Sequence, residues 1–99
     1  MSLTVVITRD VEDRYRGLLS SAMLEAAPGV FVSKALSARA RDTIWQVVKD
    51  WHANLQRGSV TMLYADSQED GGIAVESVGT PARHPVRVDG ALLMHRVNE

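Results

Sequence analysis

Three carboxylates and two guanidinium groups crowd into one short stretch near the start of the chain: Asp10, Glu12, Asp13, Arg14 and Arg16. Acids at this spacing could hold Mg²⁺ for phosphodiester hydrolysis if two copies faced each other across a twofold axis, with Asp10 as the leading catalytic and metal-ligating candidate. The same acids could simply start a helix, since carboxylates in a first turn cap its amide hydrogens and favour its dipole. At i,i+4 spacing Glu12 could pair with Arg16, and Asp10 with Arg14. The arginines suit another task, because a guanidinium fork matches a pair of anionic oxygens and so grips phosphate. A second basic pair, Arg39 and Arg41, falls in the first turns of a later helix, where the dipole disfavours cations and an anion would reverse that cost. Two positions apart, these side chains point to different sides of the helix and suit an extended anion.

The elements that must position these groups follow from periodicity. Leu3 to Thr8 is apolar or β-branched on both faces and predicts a central strand, with neither face meant for water. Asp10 is the expected N-cap of a first helix from about Val11 to Ala27, whose inner stripe is Val11, Tyr15, Leu18, Leu19, Ala22 and Ala26. Gly17 inside it suggests a close approach of another backbone. Pro28 and Gly29 end that helix, and GVFVS reads as a strand that a crossover would set parallel to the first. Ser37 caps a second helix to about Leu55, with Ile44, Val47, Val48, Trp51 and Leu55 facing inward and Trp45 and His52 flanking them. Gly58 to Asp66 and Ile73 to Gly79 form a hairpin about the SQEDGG turn. Pro81 and Pro85 bracket a loop holding Arg83 and His84. VRVDGALLM then reads as two very short strands about an Asp-Gly turn, which either edge the home sheet or extend a neighbour's.

Ninety-nine residues, nearly half of them hydrophobic, predict one compact domain whose small core dimerisation would help. No stretch has the length of a membrane span or the pattern of a secretory signal, so a soluble, cytoplasmic protein is expected. Cysteine is absent, which removes disulfides, thiolate nucleophiles and zinc-thiolate sites. A formal net charge of −1 argues against coating nucleic acid by bulk charge, so any such binding must be local. The charge is uneven: residues 1–57 carry eight Lys and Arg against six acids, and residues 58–99 carry three against six. No Ser-His-Asp arrangement, phosphate-cradling glycine loop or His-rich metal spacing occurs.

The pattern VVITxxVxxRxRG, the run MLEAAPGVFVS, the helix carrying Ile44 and Trp45, and the loop GTPARHPVRVDG with its hydrophobic tail together resemble CRISPR-associated protein two of the type I-E subtype. This is the small subunit of the spacer-acquisition complex, and the similarity spans nearly the whole chain in order. The resemblance implies a ferredoxin-like α/β (α+β) sandwich over residues 1–80: a mixed, mainly antiparallel sheet with two helices on one face. It implies a loop and short C-terminal hairpin over residues 81–99. It further implies a homodimer that holds a double-stranded DNA protospacer between two dimers of the integrase subunit. By position, Arg14, Arg16, Arg39, Arg41 and Arg83 match the residues that grip the duplex. The segment Val86 to Val97, with Val86, Val88, Leu92, Leu93 and Met94, matches the part that adds strand pairing to the integrase. Two departures stand out. Arg9 occupies the position where relatives place the carboxylate credited with nuclease activity, and only one strand is legible between the helices where the fold expects two. A non-catalytic scaffold is therefore the leading expectation. The alternatives are a metal-dependent endonuclease acting on RNA or DNA through Asp10, the one case that requires Mg²⁺, and a small α/β regulatory dimer binding a metabolite in an uncharged cleft.

Overall fold

The computed structural model describes residues 3–80 and 83–96. Val5, Val6, Ile7 and their threonine neighbours favour a pleated, half-buried surface, and they form β1 (Thr4–Arg9). After it come α1 (Asp13–Ser20), β2 (Leu24–Ala27), β3 (Val30–Ser33), α2 (Ala38–Asn54), β4 (Ser59–Ala65) and β5 (Ile73–Val78). The five strands make one antiparallel sheet in the order β2-β3-β1-β4-β5, so β1 is the central strand its composition predicts. Val6 lies opposite both Phe31 of β3 and Met62 of β4. This register gathers the three side chains on one face of the sheet, because directly paired residues share a face.

Both helices cover that face. Tyr15 and Leu19 of α1 and Ile44, Trp45 and Val48 of α2 pack with Val6, Phe31, Val60 and Met62 in a single core. The other face of β1 is bare in one copy: Leu3 is 56% exposed and Ile7 40%. Only one of the two apolar faces is therefore covered within the chain. Two helices on one side of an antiparallel sheet give the α+β, ferredoxin-like sandwich.

The first helix is shorter than its periodicity suggests. Its end is set at Ser21, whose amide and hydroxyl both donate to the Leu18 carbonyl, while the Met23 amide bonds back to Leu19 as its side chain enters the core. Leu24 to Ala27, good helix formers by intrinsic preference, instead pair with β3 and supply the second strand between the helices. The expected parallel crossover is thereby corrected: GVFVS returns antiparallel to β1, with β2 on its far edge. Ala22 and Ala26 are exposed, and a Cβ on Gly17 would meet nothing, so no backbone approaches there. Asp10 is not the N-cap either. That position is Glu12, without a side-chain capping bond, while Asp10 turns through φ 56° between strand and helix.

The second helix matches its pattern, with the Ser37 hydroxyl accepting from the Ala40 amide. Trp45 lies inside the core instead of flanking it, and Leu55 lies outside. The β4–β5 hairpin forms as expected about a short 3₁₀ turn at Asp70–Gly72. Beyond it, β6 (Arg83–Val88) and β7 (Ala91–Arg96) pair, among the described residues, only with each other about Asp89 and Gly90. Arg83 and His84 thus belong to a strand and not to a loop, and the tail neither edges the home sheet nor stays very short.

The revised boundaries predict unequal outcomes for two residues that periodicity puts on one helical stripe. Leu19→Ala should destabilise the fold by about 2–5 kcal/mol, and Ala26→Ser by no more than about 0.5 kcal/mol. Urea unfolding of each variant measures the contrast.

Candidate nucleic-acid interface

Arg14 leaves the first turn of α1, and its guanidinium carbon lies 4.6 Å from the centre of the Trp51 ring on α2. Trp51 in turn meets Tyr15 edge-on, with centroids 5.1 Å apart and planes at 81°. The arginine is thus held against an aromatic floor, a contact worth about 0.5–1 kcal/mol at an exposed site, while its side chain stays 43% exposed. The expected i,i+4 pairs do not form. Arg14 reaches Glu12 at 3.5 Å, and Arg16 reaches Glu25 of β2 at 3.2 Å. Glu25 also accepts the Gly29 amide at 2.9 Å, so this carboxylate ties the β2–β3 turn to α1.

Arg39 lies at the opposite end of the helix layer, sharing a shallow hollow with Ser21 and Ala22 just past the end of α1. The levels of Arg39 and Trp51 on α2 are about 18 Å apart at the helical rise. Arg41 points to the other side of α2, as its spacing from Arg39 requires. It sits 3.8 Å above the Tyr64 ring, beside Asp42 at 3.2 Å, and its side chain is only 19% exposed. The Tyr64 hydroxyl donates to Glu76 at 2.8 Å. Burial, followed by the hydrogen bond to Glu76 and its charge, pushes the Tyr64 phenol up to about 12, while Arg41 opposes the shift. The structure therefore brings Arg14 and Arg16 to one end and Arg39 to the other, with Arg41 turned toward the sheet. Arg83 opens β6, and its side chain lies outside the described residues.

Asp10, Glu12 and Asp13 line one small hollow together with Arg16. They do not converge as ligands, since among the described residues no three acids or histidines are placed to hold a metal ion. Asp10 is highly exposed and sits 3.5 Å from Arg57. The donor set of one copy does not fit Mg²⁺. Neither Arg57 nor the charge of Arg9 stands out from local sequence, although both sit in the half of the chain with the basic excess. Val88, Leu92, Leu93 and Met94 of the tail hairpin are exposed, and Val86 is half-buried. No helix among the described residues is long and apolar enough to cross a membrane.

Fold and surface define a small α+β sandwich with arginines at both ends of an outward helix layer. A family model described as CRISPR-associated protein (Cas_Cas2CT1978) matches residues 3–93. The chain belongs to that family of CRISPR-associated, Cas2-like proteins.

The tyrosines give this arrangement a pH signature. Burial, with the Glu12 charge next, also raises the Tyr15 phenol. Both phenols of the chain therefore keep their protons beyond the ordinary value near 10 while the protein is folded. Raised folded values contribute stability that is fully present below pH 10 and is lost as pH climbs toward about 12. Phenolate absorbance should show no tyrosine ionising near 10 before unfolding. Glu76→Gln should bring the Tyr64 step down, with burial keeping it above 10.

Proposed function

We propose that the protein is a homodimeric scaffold of spacer acquisition, of the type I-E kind, which holds a protospacer DNA duplex by its backbone and bridges two integrase dimers in the cytoplasm. Family membership supports the CRISPR setting. The observation that carries the reading is the outward display of Arg14, fixed on Trp51 and accompanied by Arg16, with Arg39 about 18 Å along the same helix layer. That span exceeds the roughly 12 Å width of a major groove. The two ends are thus set to meet phosphates on either side of a groove and not base edges within it, which makes the grip indifferent to sequence. An arginine already stacked on an aromatic ring loses less side-chain freedom on binding.

The bare sheet face supports pairing of two copies. Leu3, Ile7 and Ile73 are exposed there, beside half-buried Val5, Leu63 and Val75. Covering these faces with each other would leave both helix layers free for DNA. The exposed Val88, Leu92, Leu93 and Met94 of the tail, with Val86, are apolar enough to dock the integrase subunit. Since each chain carries a net charge of −1, the attraction is local, with counterions released only where arginines touch phosphate.

Arg14→Ala combined with Arg16→Ala should weaken duplex binding by the assembled complex at least about tenfold and lower its salt exponent by about two per protomer. Unchanged affinity across a salt series in this double variant would overturn the assignment.

A further inference from the structure

At the end of the sheet, where β1 and β5 leave and β4 enters, lies an open cleft of about 620 Å³ walled by Arg9, His52, Gln56, Ser59 and Thr80. Arg9 pairs with Ser59 across the β1–β4 ladder, which puts both side chains on the bare side of the sheet but at its polar end, two rows past the Val5, Leu63 and Val75 row that a second copy would cover. His52 comes from the last turn of α2, and its Nε2 abuts Gly79. The floor is backbone. A Cβ at Gly58 would collide with the carbonyls of Arg9 and Asp10, and one at Gly79 with the carbonyl of Gly58. Both glycines have positive φ, 70° and 79°, so they join three chain segments more closely than any other residue would permit.

The chemistry of the wall selects the ligand. It offers a guanidinium fork, a carboxamide, an imidazole and two hydroxyls, all able to donate, against the single carboxylate of Asp10, and no large apolar side chain. Arg9 forms no ion pair among the described residues, unlike Arg14, Arg16, Arg41 and Arg57. The lining carboxylate, Asp10, is paired with Arg57 at 3.5 Å, so this end keeps a positive surplus. A free arginine on the wall repels a metal cation, and an apolar molecule would find nothing to cover it. The volume lies within the range of small-ligand sites.

We infer that this cleft is a phosphate-binding site, in which Arg9 supplies the bidentate contact and His52, Gln56, Ser59 and Thr80 supply the remaining hydrogen bonds. The phosphate belongs either to a nucleic-acid backbone or to a small phosphorylated molecule. A backbone phosphate here would deepen the scaffold reading, which otherwise rests on Arg14 and Arg16 alone at this end of the molecule. The site stands apart from α1, so the two assignments can fail separately.

Inorganic phosphate and a short DNA duplex are the probes, followed by NMR on the full chain. Phosphate should shift the amide signals of Gly58, Ser59, Gly79 and Thr80 together with the His52 ring. Arg9→Gln should weaken that response about tenfold or more, the loss of a charged hydrogen-bond pair. Arg9→Lys should recover part of it, because the charge remains while the fork is gone. If the source is a backbone phosphate, Arg9→Gln also lowers the duplex salt exponent by about one per protomer. If Arg9→Gln loses the phosphate response and leaves duplex affinity intact, the site serves a small phosphorylated molecule. Overturning the proposal takes one result: shifts that are absent from the cleft at high phosphate, or identical in Arg9→Gln. Loss of duplex binding in the Arg14 and Arg16 double variant alone would then leave the scaffold standing without this site.

Discussion

The two-sided ladder of β1 is the constraint from which the other placements follow. Hydrogen-bonded to β3 on one edge and β4 on the other, it fixes which face of each strand meets the helices. The end of β1 also becomes a crossroads. The Thr8 amide and hydroxyl both donate to the Gly29 carbonyl, at 2.7 and 3.0 Å, which seats the β2–β3 turn there. From the same point α1 departs, β4 arrives and β5 leaves. For this reason Arg57 reaches Asp10 across 47 residues of chain, at the junction from which the helix carrying Arg14 and Arg16 sets out.

Aromatic rings decide what the arginines can do once the ladder has placed them. Arg14 over Trp51 and Arg41 over Tyr64 are the same contact chemically. Their surroundings differ. Arg14 stands at the open junction of two helix ends, whereas Arg41 folds down across the edge of the sheet, where Glu76 engages the phenol beneath it. One arrangement presents a charge and the other uses a charge to fasten α2 to β4 and β5. Composition alone could not separate them, since each arginine occupies a first helical turn.

What was legible in the chain was mostly local. The second helix announced itself through Ser37 and an unbroken 3.6-residue stripe, and the β4–β5 hairpin through its turn residues. The first helix looks longer in sequence than it is because Leu24, Glu25, Ala26 and Ala27 favour helix intrinsically, and pairing with β3 overrides that preference. With β2 taken as helix, the antiparallel return of β3 had no visible partner and a parallel crossover looked natural. Arg14 and Arg16 could be singled out by chemistry, but the Trp51 floor beneath one of them comes from a distant helix. The cleft around Arg9 is illegible for the same reason, being assembled from three separate segments.

The β6–β7 ribbon closes its ladder upon itself and leans on the body where Leu92 crowds Gly71. A lone pair of strands is marginally stable in water, so its shape depends on what it rests against. It nevertheless shares no ladder with the central sheet among the described residues. A ribbon held this way can shift against the body without breaking a single hydrogen bond of the five-stranded sheet.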